Sequence, residues 1–221
     1  MDTHTTDQEQ IEAIKRWWAE NGRSIVIGLL LGVAAVAGVR YWLHYQKQQS
    51  TQASDLFAVM QAAASKGETE TTLDTGAQLI AEYPRTPYST LAAFAMAKAR
   101  VEAGNLDAAA EHLQSALDNA GDDGLRHIAR LRLARVKLAQ GQADAALALI
   151  VDVPPGGFTS DYEELKGDIY AGQNKPQQAR SAYQIALLGV AQQRREFLQM
   201  KLDNLPPDGP APEAATEENK P

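Results

Sequence analysis

Catalysis and metal binding draw on histidines, thiols, paired carboxylates and activated hydroxyls, and this chain supplies few of them. Its 221 residues include four histidines and no cysteine. The missing thiol excludes disulfide staples, thiolate metal sites, thiol catalysis and lipid attachment through sulfur. His44, His112 and His127 have no serine, carboxylate pair or second histidine at a catalytic or metal-ligand spacing. The last two fall on helical stretches, where solvated or capped side chains are expected. Gly156-Gly157 follows two prolines and reads as a turn, not a phosphate cradle. The expectation is a protein that is not an enzyme and that holds no cofactor or metal. Nucleic acid is a poor partner too, because 21 Lys and Arg face 28 Asp and Glu, a formal charge of −7, and phosphate neutralisation needs a basic face. What remains is binding to polypeptide or membrane.

The side chains that could bind polypeptide are spread over a train of helices. After residue 43 alanine is frequent, β-branched residues are sparse, and Leu, Ala and Ile recur at spacings of three and four. That pattern predicts an all-α domain. Breakers at Gly67, Gly104, Gly141 and 172–176, with others at 84–87, 121–124 and 154–157, cut it into helices of about 12–15 residues, paired as hairpins. The hairpin turns at Gly67, Gly104, Gly141 and Asn174 recur at intervals of 37, 37 and 33. The last unit carries Gly167, Tyr170, Ala179, Tyr183 and Ala186-Leu187 around its turn, and the second carries Met96-Ala97, Leu106, Ala109, Leu113 and Ala116-Leu117. The third has Leu133-Ala134, Ala146 and Ile150 but departs at Val153-Pro154, and the first is degenerate. These units resemble the tetratricopeptide repeat, a helix–turn–helix of about 34 residues. The resemblance implies a solenoid of three to four hairpins whose first helices line a concave groove.

In that register the groove receives Phe57 from the first unit, and Leu91, Phe94, Lys98 and Val101 from the second. The third contributes Ile128, Leu131, Arg135 and Leu138, and the fourth Asp161, Glu164 and Asp168. The expected groove is mostly apolar, with two cations midway and an acidic end, and suits an extended or helical peptide. The same apolar residues also suit the core between helices, and both readings stand at this point.

The mean hydropathy of −0.34 hides one very apolar segment. Ser24 to Val39 are sixteen residues without charge, and Ile25 to Leu43 hold only Arg40. About 20 such residues span a bilayer. Tyr41, Trp42 and Tyr45 at one end, and Trp17 and Trp18 before the other, form aromatic belts. The 23 preceding residues carry five acids, unlike the short basic start of a cleaved signal, so the segment reads as an uncleaved anchor. Lys15, Arg16 and Arg23 before it outnumber Arg40 and Lys47 after it, which puts the N-terminus inside and the C-terminal bulk outside, in the periplasm of a bacterium. Gly28, Gly32 and Ala35 share a face suited to pairing with another membrane helix.

The expected organisation is a cytoplasmic segment over 1–23, a membrane anchor over 24–43, a hairpin domain over 44–205 and a proline- and acid-rich tail over 206–221. Residues 1–8 read as irregular, and Ile11, Ile14, Trp17 and Trp18 as the face of a short amphipathic helix broken at Asn21-Gly22. The helix over 52–65 runs on from the anchor without proline or glycine, and 196–205 reads as a capping helix. The tail has too little apolar surface to order.

Together, EQIEAIKRWWAENG over 9–22, the single anchor, the degenerate repeats and RHIARLRLARVKLAQG over 126–141 resemble the YfgM-like ancillary subunits of the bacterial Sec translocon. The resemblance covers about residues 8–205, and the tail departs from it. It implies a single-pass inner-membrane protein with a periplasmic repeat domain. It also implies association with the Sec translocon and with a membrane-anchored periplasmic prolyl isomerase, and a part in handing exported client polypeptides to periplasmic chaperones. No catalytic residue comes with it, and the groove positions rest on register alone. A scaffold of another envelope machine, or a regulator acting through residues 1–23, remain alternatives.

Overall fold

Four turns with one backbone geometry organise the hairpins. Gly67, Gly104 and Gly141 have φ of 75°, 75° and 74°, and Asn174 has φ of 56°. After each, a backbone N–H reaches back five residues to a carbonyl that the ending helix leaves unpaired. Glu68 donates to Ala63 at 3.0 Å, Asn105 to Arg100 at 2.8 Å, Gln142 to Lys137 at 2.9 Å and Lys175 to Tyr170 at 2.9 Å. Glycine and asparagine adopt this left-handed conformation at least cost, which is why these residue types mark the turns.

The computed structural model describes residues 3–207. Its elements are α1 (Thr3–Ser65), α2 (Thr69–Glu82), α3 (Pro87–Glu102), α4 (Leu106–Asn119), α5 (Asp123–Ala139), α6 (Ala143–Ala148), a 3-10 turn (Gly156–Phe158), α7 (Thr159–Gly172), α8 (Pro176–Leu187) and α9 (Gln192–Asp203). There is no strand among the described residues. Pro87 and Pro176 open α3 and α8, where a missing N–H costs nothing. Asn105 and Asp122 cap α4 and α5 by accepting from the N–H of Ala108 and Leu125, each at 3.0 Å. The chain divides into two compact units after Gln52.

The first unit is helical. Its side chains from Val26 to Lys47 are all exposed, and one helix here is long and apolar enough to cross a membrane. The apolar run from Ile25 to Leu43 is about 28 Å long at 1.5 Å per residue, close to a bilayer core.

The second unit holds the tetratricopeptide-like array, built on four clusters of buried residues. Met60 from the end of α1, Leu79 of α2, and Ala92 and Met96 of α3 form the first. Ala93, Phe94 and Ala97 of α3, Leu113 and Ala116 of α4, and Ala129 and Leu133 of α5 form the second. Leu131 and Ala134 of α5 join Ala146, Ile150, Tyr162, Leu165 and Ile169 in the third. Ala179, Tyr183 and Ala186 of α8 close on Leu198 of α9 in the fourth, with Tyr170 and Ala171 of α7 packed against them. The buried residues of α3 and α5 are thus divided between two clusters each. Small residues set the crossings. A Cβ at Gly76 would lie 2.7 Å from both Met60 and Met96, and one at Gly167 would strike the ring of Tyr183. Side chains also tie successive hairpins at their turns: Gln140 donates to Asp107 at 2.6 Å, and Gln173 to Asp144 at 2.8 Å.

Several expectations need correction. The helix does not break at Asn21-Gly22: α1 passes through, with Asn21 Nδ2 donating to the Trp17 carbonyl at 3.1 Å and Trp18 lying against Gly22. The short amphipathic helix is therefore part of α1. The polar start is helical from Thr3, leaving only residues 1–2 of that expectation outside the described residues. The second helix of the third hairpin, α6, has only six residues; turns follow over 149–152, and Pro154 and Pro155 bar any resumption of the helix there. The capping helix is Gln192–Asp203, four residues earlier than its expected start. In the tail, Pro206 and Pro207 are irregular, and 208–221 lie outside the described residues.

Candidate functional site: the layer of first helices

The first helices of the hairpins touch one another in sequence order. At the start of the array, Phe57 packs against Tyr88 of α3 with ring centroids 5.7 Å apart. Between α3 and α5, the guanidinium of Arg132 lies over the Phe94 ring, 4.6 Å from its centroid. His127 of α5 stacks on Phe158 at 4.9 Å, and its Nδ1 shares a hydrogen bond of 2.8 Å with the Tyr162 hydroxyl of α7. His127 is therefore a partnered residue between helices, not a solvated one. His112, on α4, is held toward its neutral form by burial and then by the charge of Arg100.

The expected groove residues separate into three kinds. Phe94 and Leu131 are core, and Leu91, Ile128, Leu138 and Phe57 are half-buried against it. Lys98, Val101 and Arg135 face solvent, Val101 with 42% of its surface exposed. Among the described residues Lys98 pairs with Glu102, one turn along its own helix at 3.6 Å. The register did not single out Arg132. Burial and then the neighbouring charge of Arg135 hold its guanidinium below the usual arginine value. Neither Arg132 nor Arg135 has an acidic partner among the described residues.

The three acids behave differently. Asp161, Glu164 and Asp168 of α7 face α9, which brings two cations to them. Arg194 donates to Asp161 at 2.9 Å and to Glu164. Lys201 donates to Glu164 at 2.9 Å and to Asp168 at 2.8 Å. The Tyr183 hydroxyl donates to Asp168 at 2.7 Å. Glu164 is buried, which alone would push its carboxyl up; the hydrogen bonds from Lys201 and Arg194, with their charges, outweigh this and hold it below the usual carboxylate range. Arg194 is raised in turn by its bonds to Glu164 and Asp161. The acidic end expected of the groove is thus occupied by the chain's own capping helix.

In the first unit, nothing lies within 4 Å of a Cβ built at Gly28 or Gly32, and Ala35 is exposed. Among the described residues no group of three His, Cys, Asp or Glu side chains is placed to hold a metal ion.

A membrane-length N-terminal helix followed by paired helices with a repeated left-handed turn defines the class: a tetratricopeptide-like helical protein with one helix, among the described residues, long and apolar enough to cross a membrane. Residues 15–207 match the family described as a tetratricopeptide repeat-like domain. A relative from Escherichia coli K12 is 32% identical over 93% of this chain and 99% of its own length. Relatives from Haemophilus influenzae and Neisseria gonorrhoeae are each 30% identical, over 90% and 93% of this chain and 97% and 100% of their own lengths. All three are named ancillary SecYEG translocon subunit, and the chain belongs to this family.

Proposed function

We propose that this protein is a non-catalytic adaptor of the Sec translocon, anchored in the bacterial inner membrane with its N-terminus in the cytoplasm and its repeat domain in the periplasm. There it associates with periplasmic chaperones, including a membrane-anchored prolyl isomerase, and assists the hand-over of exported client polypeptides. The observation that carries the reading is that likeness to a relative named as a SecYEG subunit extends through both units, over 93% of the chain. Two features support it. The anchor leaves Gly28, Gly32 and Ala35 open to a second membrane helix. The first-helix layer presents Lys98, Val101 and Arg135 to solvent between half-buried Leu91 and Leu138. The excess of three cations over two around the anchor supports the orientation.

Photo-crosslinkers at Gly28, Gly32, Lys98 and Arg135 in living cells test this. The expected products are a translocon subunit from the anchor positions and exported or chaperone polypeptide from the repeat positions. Recovery of neither would overturn the proposal.

A further inference from the structure

Arg132 and Arg135 are like charges one helical turn apart, a mutual cost that no acid of the chain offsets among the described residues. Yet the chain after residue 43 holds 23 acids and only 17 Lys and Arg, so acids are not scarce. On α7 the fold does place opposite charges together, through α9. On α5 it instead sets one exposed guanidinium over the Phe94 ring and leaves the next without a ring or acid beside it among the described residues. Contact with the ring restricts the planar donor fork, which matches a carboxylate in two-bond geometry. Val101, two turns from Phe94 on the same face of α3, adds an exposed apolar surface, and Lys98 stands at the position equivalent to Arg135 by the 37-residue interval.

We propose that Arg132 and Arg135 are the docking point for an acidic segment of a partner polypeptide. One Asp or Glu carboxylate bridges the two guanidiniums, and an apolar neighbour in the segment rests on Val101. The inference deepens the adaptor reading and rests on it. A peptide is favoured over an anionic lipid surface by charge. The excess of six acids after residue 43 repels an extended anionic surface, whereas one or two peptide carboxylates feel mainly the field within about 8–10 Å.

The test uses the full chain in zwitterionic phosphatidylcholine nanodiscs and fluorescence anisotropy. The probe is a short labelled peptide of Asp, Glu, Leu and Ser, with a matched peptide in which Asn and Gln replace the acids. The acidic peptide should bind about tenfold more tightly than its amide counterpart, and salt should weaken it. The double variant R132Q/R135Q should erase the difference while keeping the melting temperature. R132K, which keeps the charge without the stacked fork, should give a smaller loss. Equal binding of the two peptides overturns the proposal, as does undiminished preference in R132Q/R135Q. Variant-sensitive binding of phosphatidylglycerol vesicles without peptide binding also overturns it, in favour of a lipid site. Crosslinking of the wild-type chain to the translocon keeps the two readings apart. If that succeeds while peptide preference fails, only this inference falls; if neither a translocon subunit nor exported or chaperone polypeptide is recovered, the adaptor reading falls.

Discussion

Helices α5 and α7 are neighbours in one layer, and both carry a row of like charges. On α7 the row is acidic and closed: Arg194 and Lys201 of α9 reach Asp161, Glu164 and Asp168, and Leu198 lies fully buried between those cations on the same helix. On α5 the row is basic and open: Arg132 rests on an aromatic ring, and Arg135 meets no acid among the described residues. The difference teaches that a charge row in a repeat array has two uses. Where the array ends, it secures a cap that the apolar contact alone would hold weakly. Within the array, in the docking proposed for Arg132 and Arg135, it serves another molecule.

This contrast can be broken at its closed side first. Leu198→Ala removes the fully buried anchor of α9 and should cost about 3 kcal/mol. Hydrogen exchange should then show α9 losing protection while α5 keeps most of its own; equal loss in both helices would deny that the cap is a separable element. Glu164→Gln removes the acid shared by Arg194 and Lys201 and should cost about 2 kcal/mol, read by denaturant unfolding. An effect no larger than that of a surface substitution would mean that the network contributes nothing to stability.

Acid should reproduce part of that loss. The Glu164 carboxyl lies below its ordinary value of 4.5 in the folded chain, so the folded state holds its proton less tightly than the unfolded state. Its stabilisation is therefore complete above the ordinary value and disappears as pH falls through the lowered one. The stability gap between wild type and Glu164→Gln should narrow on acidification below the usual carboxylate range, and a constant gap would contradict the assignment. The smallest effect on folding belongs to the open side. Lys98→Glu with Arg135→Glu should change stability by less than about 0.5 kcal/mol, since both residues are exposed, yet should weaken capture of partner polypeptide. Unchanged capture would place the partner surface elsewhere.

The turns were legible in the sequence because a left-handed backbone restricts the residue type, so Gly67, Gly104, Gly141 and Asn174 announced the hairpins. The anchor was legible because uncharged length has few other uses. Gly22 misled because one glycine costs a helix only about 1 kcal/mol, and in a 63-residue helix neighbouring residues carry it. The closing of the acidic row had a signal that went unread: Arg194, Leu198 and Lys201 share one helical face, with spacings of four and three that answer the three and four of Asp161, Glu164 and Asp168. Arg132 had a fainter one. It lies 38 residues after Phe94, one more than the repeat interval, and a contact between helices turns on that single residue of offset.

The division of the buried residues of α3 and α5 between two clusters each makes those helices party walls, each serving the room on either side. The fully buried residues of α4 and α6, by contrast, serve one room apiece. A party wall cannot be shortened without opening two rooms, whereas a wall with one tenant can be cut back. That is where the architecture tolerates economy, and the six residues of α6 are an instance of it.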